Sequence, residues 1–325
     1  MRPSRCSLAL PFIVALAPPL AAQTTNDVVA AGAAFLLFPV GGRSVALGQA
    51  AVADGGAGEA VFWNPAGLAS LARSEVAVHH ASTFVSDNTV LSGYVTSPRL
   101  GVVGLAGYLV DYGTQEITRG PGQATGRISL KNLELLATYA TDVTGSLDLG
   151  INYKLIQFRH DCSGDCGVFP SVAGTTHALD VGMQLGLGAS DALRLGATLQ
   201  HAGFPLQLEN RDQADPLPTR VQVGVAYAFS LPEVAGSEPS QVRVLVDLQD
   251  AWGSYRDPDL RLGAELSYGQ TVRLRGGYAW LHSESSGASV GAGFHVGRVV
   301  LDFARLFYAS GAFDEPVHLS LRVLL

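Results

Sequence analysis

The sequence predicts an all-β fold: a transmembrane antiparallel β-barrel of about fourteen strands with an N-terminal plug. Three observations predict it. From residue 75 to Leu325, apolar residues alternate with small or polar ones, in segments of roughly ten, the length a tilted strand needs to cross a bilayer. Charged residues are nearly absent from the apolar faces, where Arg or Lys at mid-bilayer costs about 2–4 kcal/mol. The connections alternate between short and long, as in barrels that separate two compartments.

Composition agrees. The chain has 325 residues, of which 47% are hydrophobic and only 15% charged, whereas soluble domains carry about 25% charged residues. Its mean hydropathy is +0.24. After the N-terminus the longest largely apolar run is 28–40, shorter than the roughly 18 residues of a transmembrane helix, so strands must do the spanning. A net charge of −7 argues against a nucleic-acid partner and leaves membrane lipid as the expected neighbour of the outward faces.

Residues 1–22 read as a signal peptide. Arg2 and Arg5 form a basic start, 7–20 an apolar stretch, and Ala21-Ala22 a small-residue cleavage site. Cys6 precedes the apolar stretch and leaves with it. Export and placement in the cell outer membrane are the expectation.

Residues 23–73 do not alternate. Gly41-Gly42 and Gly55-Gly56 break the chain, 44–53 suits a short helix, and Asn64-Pro65 turns it toward the first strand. Outside a barrel this segment would expose Phe35, Leu36, Leu37, Phe38, Phe62 and Trp63 to water. Folding into the lumen as a plug removes that cost.

Residues 74–325 form the barrel. Leu147, Leu149, Ile151, Tyr153 and Leu155 point one way, and Asp148, Gly150, Asn152 and Lys154 the other. The same division separates Leu179, Val181, Met183, Leu185 and Leu187 from Asp180, Gly182, Gln184 and Gly186. Val221, Val223, Val225, Tyr227 and Phe229 repeat it. Arg305 is in phase with an apolar face but near a strand end, where it can snorkel. Tyr227, Phe229, Tyr268, Tyr278 and Trp280 gather near strand ends as an interfacial girdle. Short turns are expected at 97–99, 142–144, 189–191, 269–271 and 297–298. Long loops, facing outward, are expected at 113–126, 159–175 and 202–218. An even strand count returns both termini to the periplasm.

A three-residue turn pairing Tyr268 with Val272 sets Glu265 opposite Arg275 and Ser267 opposite Arg273. This makes Glu265 and Arg275 a lumen charge pair, with Arg243, Asp247 and Arg261 lining the same region. Such pairs either orient a permeant or hold the plug, and the structural role is favoured. Inward positions also carry Gly150, Gly182, Gly186, Gly196, Gly224, Gly263, Gly277, Gly291 and Gly293. These admit close approach to the wall, or curvature of it.

Cys162 and Cys166 are placed for a loop disulfide in an exported chain, with a metal pair as the alternative. No metal site, cofactor or catalytic centre is expected. His79 and His80 are adjacent in a strand and face opposite sides. Ser82 and His201 are the residues an outer-membrane lipase would need to bring together, but G-x-S-x-G is absent.

The stretch GGRSVALGQAAVADGGAGEAVFWNPAGLA, residues 41–69, resembles the N-terminal region of the PorV/PorQ family, within the FadL-like outer-membrane barrels. G-R-S-x-A-L-G, A-V-A-D and W-N-P-A-G-L-A stand in the family's order. The resemblance implies a fourteen-stranded barrel whose N-terminal part folds inward. Asn64, Pro65, Ala66 and Gly67 match the family's N-P-A-G turn, implying that they anchor the plug.

PorV-type relatives serve type IX secretion, and FadL-like relatives carry hydrophobic molecules. The expected function is therefore that of a non-catalytic component of protein secretion, with exported cargo proteins or secretion components as partners. The alternative is FadL-like transport, with a hydrophobic small molecule as partner. The long loops would serve the first, and Phe169, Phe204, Leu206 and Leu208 would receive the permeant in the second.

Overall fold

The computed structural model describes residues 32–120, 122–188, 191–208, 214–232, 238–282, 286–309 and 315–325. The signal segment 1–22 and residues 23–31 lie outside them. Alternating segments form β1 (Glu75–Ser82), β2 (Asp87–Ser97), β3 (Gly101–Thr118), β4 (Ala124–Asp142), β5 (Leu147–Gly164), β6 (Val172–Leu187) and β7 (Leu193–Gly203). A small ladder of β8 (Leu206–Gln207) with β9 (Ala214–Asp215) follows. The second half comprises β10 (Arg220–Ser230), β11 (Ser240–Ala251), β12 (Asp259–Tyr268), β13 (Val272–Trp280), β14 (Gly287–Val296), β15 (Val299–Tyr308) and β16 (Val317–Leu324). All except β8 and β9 form one closed antiparallel barrel of fourteen strands, with β1 paired to both β2 and β16.

Parity of burial follows the sequence. Leu149, Ile151 and Tyr153 on β5, Leu179, Val181 and Met183 on β6, and Val223, Val225 and Tyr227 on β10 face outward and exposed. An apolar band of this extent is tolerated in hydrocarbon and not in water. Arg305 also points outward, pairs with Glu315 and lies over the Phe307 ring. Tyr278 and Trp280 pack with ring centroids 4.4 Å apart.

The expected long loops are mostly wall. β3 and β4 continue past 113 to leave only 119–123 as a connection, and β5 and β6 leave 165–171. Above the bilayer both faces of a strand meet water, so alternation fades while ladder hydrogen bonds persist. Cross-strand pairs hold these extensions, with Lys131 to Asp111 at 3.0 Å and Arg127 to Glu116 at 3.2 Å. The 204–219 connection remains long.

The N-terminal segment runs through the lumen. Gly32 donates its N–H to Pro216 O at 2.9 Å beside β8 and β9, at the long-connection mouth. Gly32 thus lies at the mouth opposite to the one where β1 starts and β16 ends, those two strand ends sharing a side as the even strand count requires. The expected helix at 44–53 is shorter and earlier: α1 spans Gly42–Ala46. Gly48 and Gln49 adopt φ of +64° and +65°, which ends it. Asn64 caps a 3₁₀ turn, Pro65–Ser70, by accepting the Ala66 N–H at 3.1 Å, with Pro65 at the first position.

Candidate functional site

An irregular chain inside a barrel must satisfy its backbone polar groups without a ladder of its own. Inward polar side chains do so. Gly42 N–H donates to Ser320 Oγ at 2.8 Å and Gly48 N–H to Ser289 Oγ at 3.0 Å. Ala51 and Val52 both donate to Asp247 Oδ2, at 2.7 and 2.8 Å. Gln184 Nε2 donates to the carbonyls of Val52 and Asp54, Gln200 Nε2 to those of Phe62 and Trp63, and Asn152 Nδ2 to that of Val61.

The glycines make room for this path. Of the nine inward glycines named from the sequence, six face the N-terminal segment so closely that a Cβ would collide with it. A Cβ at Gly277 would stand 2.1 Å from Gly48 N, one at Gly263 2.4 Å from Leu47 O, one at Gly196 2.3 Å from Val52 O, and one at Gly150 2.3 Å from Pro65 C. Gly186, Gly224 and Gly293 instead admit wall side chains: Asp191, Asp247, and Asp302 with Arg275, respectively. Close approach therefore accounts for most of them. From β16 through β14, β13 and β12 to β10 and β7, the segment follows the inner wall.

Three zones result. At the long-connection mouth, Val90, Val110, Ile156, Ala178, Leu206 and Leu217 form an apolar chamber. Phe35, Leu36 and Val40 fill it, with the Phe35 and Phe62 rings 6.2 and 6.1 Å from the Tyr108 ring. Leu206 and Leu208 turn into this chamber, whereas Phe169 and Phe204 are exposed. Beneath lies Lys154, buried, with Nζ 2.9 Å from both Glu134 and Asp180 and 3.1 Å from His201 Nδ1. His201, at φ +57°, sits where β7 slips register against β6 and donates its backbone N–H to Asp180 at 2.8 Å.

Toward the opposite mouth runs a chain of alternating charges. Arg243 meets Asp54 at 2.7 Å, Asp54 meets Arg43, and Arg43 meets Glu265 at 3.3 Å. Glu265 meets Arg275 at 2.6 Å, Arg275 meets Asp302 at 2.6 Å, and Arg322 bridges Asp302 at 3.3 Å and Glu75 at 3.2 Å. Nearby, Glu59 accepts both the N–H and the hydroxyl of Ser44, at 2.8 and 2.7 Å. Burial pushes the Glu59 carboxyl above the usual carboxylate range, and the Ser44 hydroxyl opposes that.

The sites read from sequence fall as follows. Glu265 and Arg275 face each other in register and in contact. Asp247 and Arg261 are cross-strand neighbours but do not extend that chain. Asp247 binds the N-terminal backbone, and Arg261 donates to Gln249 at 2.7 Å. Asn64 is wholly buried, its Nδ2 donating to Val52 O at 2.7 Å and Met183 O at 3.1 Å. Pro65 and Ala66 pack over Gly150, and Gly67 lies against Asp54 O. Cys162 and Cys166 form a disulfide at the end of β5. His79 and His201 point inward and buried, while Ser82 is exposed on the outer face of β1. Lys154 and the Arg43–Asp54 pair were not singled out from sequence. Lys154 showed only as an inward cation in β5, and nothing signalled Arg43 and Asp54, which meet through tertiary folding.

Solved structures share this architecture. The toluene transporter TbuX of Ralstonia pickettii superimposes with a TM-score of 0.59 at 15% identity, covering 88% of this chain and 98% of that one. The toluene transporter TodX of Pseudomonas putida gives 0.57 at 11%, covering 87% and 97%. A Pseudomonas aeruginosa FadL homologue gives 0.50 at 11%, covering 88% and 98%. These likenesses show a fold shared with these transporters and with the FadL homologue. A comparison with curated proteins finds no match. The profile of an uncharacterised protein family, UPF0164, matches residues 13–193, spanning the N-terminal segment and the first six strands, and the chain belongs to that family.

Proposed function

We propose that the protein is a non-catalytic conduit of the cell outer membrane for apolar small molecules, with residues 32–73 acting as its plug. The observation that carries this reading is the apolar chamber at the long-connection mouth, occupied by the chain's own Phe35, Leu36 and Val40. An apolar molecule that displaces these side chains finds a surface already shaped for phenyl and aliphatic groups. The structural neighbours described as toluene transporters support the same substrate class. Asn64 to Gly67 anchor the plug low in the bore while 33–40 yields above it.

The secretion reading, drawn from the PorV/PorQ resemblance of residues 41–69, has less behind it. It relies on three long outward loops, and two of them are short connections on extended strands.

The test is the initial uptake of labelled toluene by cells with an intact lipopolysaccharide outer membrane that express the chain. Uptake several-fold above vector-only cells is expected. Val110→Asp, which places a carboxylate in the chamber, should return it to baseline while the barrel keeps its heat-dependent gel mobility. Equal uptake with and without the native chain would overturn the proposal.

A further inference from the structure

At the mouth that carries the short turns, a hollow of about 460 Å³ opens between the N-terminal segment and the ends of β11 to β16. Six arginines line it, Arg43, Arg73, Arg243, Arg273, Arg275 and Arg322, against two carboxylates, Glu75 and Glu265. Four of the arginines belong to the alternating chain described above, in which Asp54, Glu75, Glu265 and Asp302 balance them one for one. Arg73 and Arg273 stand outside that balance. Neither has an ion pair or side-chain hydrogen bond among the described residues. Arg73 is exposed and Arg273 half-buried. The remaining polar lining, Gln241, Ser267, Gln270 and His295, adds no carboxylate. Glu238, in the adjoining connection, lies beside Gly269.

A chain with net charge −7 thus places two guanidinium groups without an ion pair among the described residues in one hollow. Guanidinium forks match carboxylate and phosphate oxygens in pairs, and two of them favour an anion of more than one charge. The strand ladders from β11 round to β1 are continuous. A membrane lipid headgroup has no sideways entry, and an anion reaches the hollow from the aqueous mouth. We propose that this hollow binds a small soluble multivalent oxyanion, carrying phosphate or carboxylate groups, through Arg73 and Arg273. The site is independent of what crosses the bore.

The experiment is calorimetric titration of the full chain, in zwitterionic detergent at low salt, with inorganic pyrophosphate and separately with citrate. One saturable site is expected for at least one probe. Its affinity should fall about tenfold or more in Arg273→Gln and in Arg73→Gln, each losing a charge-assisted contact, and Arg273→Lys should retain part of it. Because neither arginine holds another side chain, both variants should keep the heat-dependent gel mobility of the native barrel. Absence of saturable binding for both probes up to about 10 mM, or unchanged affinity in the double Arg73→Gln/Arg273→Gln variant, would overturn the proposal.

Discussion

Replacing Gly277 with leucine should drive the N-terminal segment off the inner wall while the fourteen strands stay closed. A Cβ at this position would meet Gly48 N at 2.1 Å, Leu47 C at 2.4 Å and Gly48 Cα at 2.6 Å. All three are backbone atoms, which cannot rotate aside as a side chain can. Overpacking of a well-filled interior costs about 1–3 kcal/mol when side chains can adjust, and here the backbone must shift instead. That shift would also break the Gly48 N–H to Ser289 bond and misalign the two N–H groups on Asp247. Gly276 is the control. It is next in the strand and points outward, and its added Cβ would meet only Ser289 O at 3.9 Å. Limited proteolysis between residues 40 and 55 should accelerate in Gly277→Leu and not in Gly276→Leu. Equal protection in both would show that the wall and segment are not in contact there.

Lys154→Met is expected to be the most destabilising single change in the wall. The ammonium group sits between Glu134 and Asp180, each 2.9 Å away, and all three residues are buried. Methionine fills the space and leaves two carboxylates facing each other with no cation between them, Arg220 acting only from farther off. Breaking a buried pair in this way costs about 3–5 kcal/mol. Asp180 keeps its hydrogen bonds from the His201 backbone and from Asn152 Nδ2, both at 2.8 Å, so the larger share should fall on Glu134. Adding Glu134→Gln to Lys154→Met should therefore recover much of the loss. Thermal unfolding in detergent, followed by the heat-dependent gel shift, reads both variants. An unchanged midpoint for Lys154→Met would mean that the triad is solvated.

The wall was legible in the sequence because the bilayer forces parity on every spanning strand, and parity plus one turn length set Glu265 against Arg275. The extensions of β3 to β6 were not legible as strand. There, water bathes both faces and nothing enforces alternation, so the segments read as loops. The inward glycines showed where something approaches the wall, but not what. The path of the approaching segment is aperiodic, fixed by side chains such as Asp247, Gln184 and Gln200 that come from strands far along the chain. Arg43 and Asp54 complete the charge chain from within that segment, so a register argument confined to strands could find only part of it. The slip of β7 at His201 rests on a non-glycine residue at positive φ, which no local sequence rule marks.

The central claim is that residues 41–69 are seated in the bore as a fixed part of the barrel interior. Hydrogen exchange of the detergent-solubilised native protein, resolved by peptide, tests it most directly. The account predicts that amides in 41–69, including those of Gly42, Gly48, Ala51 and Val52 bonded to wall side chains, exchange as slowly as those of the β10 to β12 ladders. Exchange throughout 41–69 as fast as in the 119–123 connection would contradict it.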